Sequence, residues 1–146
     1  MTECTGEASC LICIRQENYL WWLSVGDCML FMIHPDLIQF GQGLLNQRNF
    51  YEWIGKVNTF DLLIPCYSSG CREIRTGTNV ITMITDGFME KDRDLHLHME
   101  RLFEIHSCET VDLFLHELHL NQRRDSTTII TWSIDNKLRG AMPSEG

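Results

Sequence analysis

The stretch "ITMITDGFME", residues 81 to 90, sets a single carboxylate, Asp86, between a hydrophobic run and a glycine. Val80, Ile81, Met83 and Ile84 make a short, almost continuous apolar run bounded by turn signals, which predicts a buried strand. Gly87 has no Cβ and permits a sharp exit from it. An acid in that position is held by a rigid element and still reaches solvent, a good place for a metal ligand or a general base. The plainer reading is a turn aspartate that bonds its own backbone.

The elements around this strand follow from periodicity. "SCLICIR" (9–15), "YLWWLSV" (19–25) and "MLFMI" (29–33) are closely spaced and rich in aromatic and branched residues, so they read as strands. Gln16, Glu17 and Asn18 link the first two as a hairpin, Gly26 and Asp27 link the second to the third, and His34-Pro35-Asp36 closes a meander. From 36 to 76 the pattern is irregular, with turns and short strands suggested by scattered glycines and with Phe50, Trp53 and Ile54 expected to pack inward. Residues 89–105 carry Leu95, Met99, Leu102 and Phe103 at helical spacing, and 110–120 carry Val111, Phe114, Leu115 and Leu118. A last strand spans 126–134, with Ile130, Trp132 and Ile134 on one face. No repeat or low-complexity tract interrupts the chain, and 1–146 reads as one domain with a frayed tail over 135–146.

Composition excludes several classes. The 146 residues suffice for one domain that buries roughly two-thirds of its unfolded surface, and 44% hydrophobic residues make it globular. The net charge is −8, and no basic cluster exceeds Arg123–Arg124, so neither nucleic acid nor an anionic membrane is an expected partner. The polar, acidic N-terminus is unlike a signal peptide and no run approaches a bilayer span, so a cytoplasmic location is expected. Seven cysteines without a secretion signal read as reduced thiols. Cys10 and Cys13 have C-x2-C spacing, but residues three apart on a strand point to opposite faces, which disfavours a zinc site built on them. The Cys66/Cys71, His96/His98 and His116/His119 spacings suggest metal ligation only weakly.

Two further carboxylates sit like Asp86. Asp27 lies in "SVGDC" between two hydrophobic strands, and Asp125 lies in "RRDSTTII" just before the last strand. Each alone reads as a turn or capping aspartate. Strands of one sheet can nevertheless bring such ends together, and carboxylates without Lys or Arg between them select a hard cation, Mg2+ or Mn2+, over zinc.

In this order, "SVGDC", "ITDGFME" and "RDSTTIITWSI" resemble the later motifs of the metal-dependent serine/threonine phosphatases of the 2C type. The resemblance covers about residues 6–134 and corresponds to the C-terminal half of that domain, in its bacterial form. Departures are Cys28 after G-D, where serine is usual, and Asp125-Ser126 where Asp-Asn is commoner. The early D-G-H-G-G motif does not occur, and neither does the family's intervening helical hairpin. The chain is accordingly expected to be a C-terminal piece of a longer phosphatase or a short natural relative of one.

The resemblance implies an α+β fold, an antiparallel β-sandwich flanked by helices, of which the C-terminal portion is expected here. It implies Asp86 and Asp125 as core metal ligands, Asp27 as ligand of an additional, weaker metal, and Mn2+ or Mg2+ as cofactor. No catalytic residue beyond these ligands is implied. Metal-activated water would attack a phosphoserine or phosphothreonine protein. His34 and His106 inherit no role, since the family's histidine acid lies in the other half. With half of the metal shell lacking, the isolated chain is expected to be weakly active or inactive. The alternative is a non-catalytic interaction or regulatory domain on the phosphatase scaffold. A chain lacking most of its partner sheet should also expose an apolar face and open strand edges, so a homodimer or larger oligomer is expected.

Overall fold

The structure, a computed structural model, describes residues 9–46, 67–85, 95–105, 107–120 and 127–137. Strands β1 (Cys10–Gln16) and β2 (Tyr19–Val25) form the hairpin expected from the sequence, with Gln16 opposite Tyr19 and Cys10 opposite Val25. Glu17 takes a positive φ of 52° in the two-residue turn, where the right-handed twist of hairpin strands favours such angles.

Two expectations about neighbouring strands are corrected. The third strand does not extend the meander. Strand β3 (Met29–Ile33) crosses to a second sheet, and the free edge of β2 is taken by β4 (Tyr67–Glu73), within the stretch read as irregular. All five residues of β3 are buried, so the strand needs cover on both faces and lies in the middle layer. β2 has one exposed face and belongs to an outer layer. β4, "YSSGCRE", lacks an apolar alternation, and pairing rather than sequence makes it a strand. Its Gly70 faces Trp22, and a Cβ there would stand 2.4 Å from the indole ring, so only glycine leaves the ring its place.

The second sheet has the order β3-β5-β6, with β5 (Gly77–Ile84) central and β6 (Ile129–Asn136) beyond it, all antiparallel. Between β3 and β4 stands the one-turn helix α1 (Pro35–Ile38), started by His34 as N-cap and Pro35 in its first turn. Residues 43–46 then return along β3. Met32 N–H donates to Gly43 O, Leu45 N–H donates to Leu30 O, and Phe31 bridges Leu44.

Two apolar cores stack on this middle sheet. Leu30, Met32, Ile81 and Ile134 face Leu20 across the sandwich, with Trp22, Met83 and Trp132 against them. Met29, Phe31, Ile33, Val80 and Ile84 face the helices α2 (Leu95–Phe103) and α3 (Cys108–Leu120), which contribute Met99, Leu102 and Phe114. Ser107 starts α3 by a reciprocal pair of bonds: Thr110 N–H donates to Ser107 Oγ, and Ser107 N–H donates to Thr110 Oγ1. Met99, Leu102 and Phe103, and Val111, Phe114 and Leu115, pack on this core as expected from their helical spacing, while the side chains of Leu95 and Leu118 lie outside what the structure describes. The partner sheet, expected to be mostly missing, is present as three strands. The uncovered apolar surface is instead its outer face. Ile12, Ile14, Tyr19, Trp21 and Tyr67 lie there, each between 37% and 58% exposed. The long helices α2 and α3 pack on the middle sheet instead.

The core between the sheets and the outer face of β1 should respond differently to truncation. Ile81→Ala, at a fully buried position, should cost about 2–5 kcal/mol in urea unfolding. Ile14→Ala, at a position 58% exposed, should stay within about 0.5 kcal/mol of the parent.

Candidate metal centre

The register of the middle sheet decides where its strand ends lie. Met29 pairs with Ile84, and Ile84 pairs with Ile129, so the start of β3, the end of β5 and the start of β6 form one row. The pairing continues past that row, since Thr85 N–H donates to Thr128 O at 3.1 Å and Thr128 N–H donates to Thr85 Oγ1 at 2.9 Å. In sequence, Asp27 precedes Met29 by two residues, Asp86 follows Ile84 by two, and Asp125 precedes Ile129 by four. Asp86 and Asp125 themselves lie outside the described residues.

Asp27 is described, and it stands where the chain passes from one sheet to the other. Gly26 before it adopts φ of 96°, and a Cβ there would lie 2.6 Å from Ser9 Oγ, so the corner requires glycine twice over. Ser9 Oγ donates to Asp27 Oδ1 at 3.4 Å, which ties the carboxylate to the chain just before β1. The corner is held from a third side by Asn46, whose amide bonds Ser24, Cys28 and Leu30. Sequence reasoning found Asp27 and missed Asn46, which stands in no motif.

Among the described residues no three His, Cys, Asp or Glu side chains converge to hold a metal ion. Asp27 alone supplies one oxygen donor group, and a divalent cage would need the two aspartates beyond the neighbouring strand ends. The donor chemistry, carboxylate oxygens only, fits a hard cation such as Mg2+ or Mn2+.

Among the described residues, Cys10, Cys13, Cys71 and Cys108 are free thiols, and His34 is held by backbone partners. Cys13 packs against the inter-sheet core, and burial pushes its pKa up to about 11, so it stays a neutral thiol and a poor metal ligand at ordinary pH. Cys10 lies on the opposite face of β1, as alternation requires. His34 Nε2–H donates to Thr76 O at 2.8 Å and its Nδ1 accepts from Asp36 N–H at 3.2 Å, which fixes the Nε2–H tautomer and ties α1 to the turn before β5.

No family model matches this sequence, and no curated protein matches it either. Solved structures do. The serine/threonine phosphatase PstP of Mycobacterium tuberculosis aligns with a TM-score of 0.60 at 14% identity, over 86% of this chain and 59% of that one. The phosphatase domain of the cell fate determinant SpoIIE from Bacillus subtilis, presoaked with manganese, gives 0.58 at 18% identity, over 88% and 57%. PppA of Pseudomonas aeruginosa gives 0.59 at 16%, over 85% and 56%. The α+β sandwich of this chain is thus the fold of the 2C-type phosphatase domains. It spans less than two-thirds of their length.

Thiol reactivity tests this assignment of the cysteines. At pH 8 an alkylating reagent should modify the exposed Cys71 and Cys108 well before Cys13, read by peptide mass mapping. A Cys13 that reacts as fast as Cys71 would reopen the thiolate–metal reading.

Proposed function

We propose that the chain is part of a metal-dependent protein serine/threonine phosphatase domain in which Asp86 and Asp125 hold Mn2+ or Mg2+ and Asp27 holds a further, weaker ion. The observation that supports this is the row Met29–Ile84–Ile129, because it sends the three acid-bearing segments off the same end of one sheet. Rigid strands restrict where those carboxylates can reach, which is what a small cation with ligand distances of about 2.1 Å demands. When bound, the metal would supply a water acidic enough to attack phosphorus near neutral pH. The chain's own share is to present oxygen ligands from a buried scaffold, to hold Asp27 through Ser9, and to leave the leaving serine or threonine oxygen to solvent. The proposed substrate is a cytoplasmic phosphoprotein. No helix among the described residues is long and apolar enough to cross a membrane.

The outer face of the β1-β2-β4 sheet favours the second reading, a non-catalytic interaction domain on the same scaffold. Five large hydrophobic side chains on one exposed sheet face are more than scattered surface residues. A second copy of the chain stacking the same face across a two-fold axis would cover both at once.

Metal-dependent turnover of an aryl phosphate separates these readings. With millimolar Mn2+ the isolated chain should turn over weakly or not at all, because it carries no D-G-H-G-G motif. A longer form that carries the motif should be stimulated by Mn2+ and inactivated by Asp86→Asn with its circular dichroism unchanged. Robust turnover by the isolated chain, or turnover indifferent to metal in the longer form, contradicts the proposal. Light scattering at micromolar concentration should show a dimer or larger species, and a monodisperse monomer would mean that the outer face has no self-partner.

A further inference from the structure

We infer that Asn46 is the positioning residue of the Asp27 corner, acting as a side-chain clamp between the two sheets. Asn46 is 4% exposed. Its Oδ1 accepts from Leu30 N–H at 2.8 Å, and its Nδ2 donates to Cys28 O at 2.8 Å and to Ser24 Oγ at 3.1 Å. These partners bracket the turn. Ser24 is in the last residues of β2 in the outer sheet, Cys28 directly follows Asp27, and Leu30 belongs to β3 in the middle sheet. One planar amide therefore fixes both strands that meet at the corner and the peptide next to the aspartate.

The way Asn46 arrives explains why its side chain does this. Residues 43–45 run along the outer edge of β3, exchanging Met32 N–H to Gly43 O and Leu45 N–H to Leu30 O. On this register the Leu45 carbonyl would be the ladder acceptor due for Leu30 N–H, and the Asn46 side chain supplies one instead. That substitution frees Nδ2 to reach across to Cys28 and Ser24, which a main-chain carbonyl cannot do because it carries no donor. Asparagine, by the carboxamide it shares with the longer glutamine, accepts at one atom and donates twice at the other. Aspartate in its place would keep the acceptor and could take the Ser24 hydroxyl as donor, but it would set a carboxylate oxygen against the Cys28 carbonyl, two acceptors with no proton between them.

The consequence for function rests on reading Asp27 as a cation ligand: Asn46 then sets the affinity of the weaker site, while Asp86 and Asp125 lie beyond strand ends it does not touch. Amide hydrogen exchange on the metal-free chain tests the clamp without that reading. In Asn46→Ala the Leu30 amide, which donates to Asn46 Oδ1, should exchange at least about tenfold faster, as loss of that buried hydrogen bond implies, while Ile81 in the core changes little. Ser24→Ala, which removes one other partner of Asn46, should give a smaller change at Leu30, and it serves if Asn46→Ala fails to fold cooperatively. Exchange that rises equally at Ile81 and Leu30, or at neither, overturns the clamp. A titration with Mn2+ alone reads the second half: Asn46→Ala and Asp27→Ala should lose the same weak uptake. Uptake unchanged in Asp27→Ala would overturn the metal reading of Asp27 and leave the exchange comparison to decide the clamp.

Discussion

The antiparallel register of β3, β5 and β6 is the constraint on which the rest depends. β5 pairs with β3 over five residues and with β6 over eight, and its two faces serve two different cores. A slip of one residue would turn Ile81 and Met83 toward the helices and Val80 and Ile84 toward the outer sheet, exchanging both sets at once. Thr82 and Thr131 add a polar check, since these directly paired hydroxyls lie 3.2 Å apart in a partly buried position. The same register that satisfies the cores aligns Met29, Ile84 and Ile129. The alignment of these three strand ends is thus a by-product of burial, and the proposed site would take its rigidity from the core.

The layers are unequal in how they are closed. The middle sheet is covered on one side by the outer sheet and on the other by α2 and α3, where Arg101 pairs with Glu117 and lies over the Phe114 ring at 5.2 Å. Both charged groups are about half exposed, so the ion pair adds little and the helix pair is held mainly by Met99, Leu102 and Phe114. On the outer sheet the inward residues Leu20 and Trp22 are packed while Tyr19 and Trp21 beside them face out. An apolar residue on both faces of β2 is what a four-layer design would require, and the described residues supply three of those layers.

Much of this was readable in the sequence wherever a face is apolar throughout. The β1–β2 hairpin, β3, β5, β6 and both long helices follow from alternation or from 3.6-residue spacing, and the bounds shift by only a few residues except at the start of α2, where the expected residues 89–94 lie outside the described ones. β4 was not readable, because its residues are polar and it becomes a strand through the edge of β2 that it completes. The passage of β3 between sheets was missed for a related reason: "SVGDC" looks like any tight link between hairpin strands, and only the burial of all five β3 residues shows that it needs two covered faces. The aspartates were legible as motif residues. Asn46 was not, since a buried asparagine bonding residues 16 to 22 positions away leaves no periodic trace.

The most direct measurement on the shared strand end is Mn2+-induced broadening of backbone amide resonances. Met29 and Ile33 are separated along β3 by four residues at about 3.3 Å each, or about 13 Å, far enough for paramagnetic broadening to distinguish the two ends of the sheet. Substoichiometric Mn2+ should broaden Met29, Thr85 and Thr128 first and leave Ile33, Val80 and Ser133 sharp. Broadening centred on the cysteines of β1 or on His34, or spread evenly along the strands, would contradict a cation site at that end.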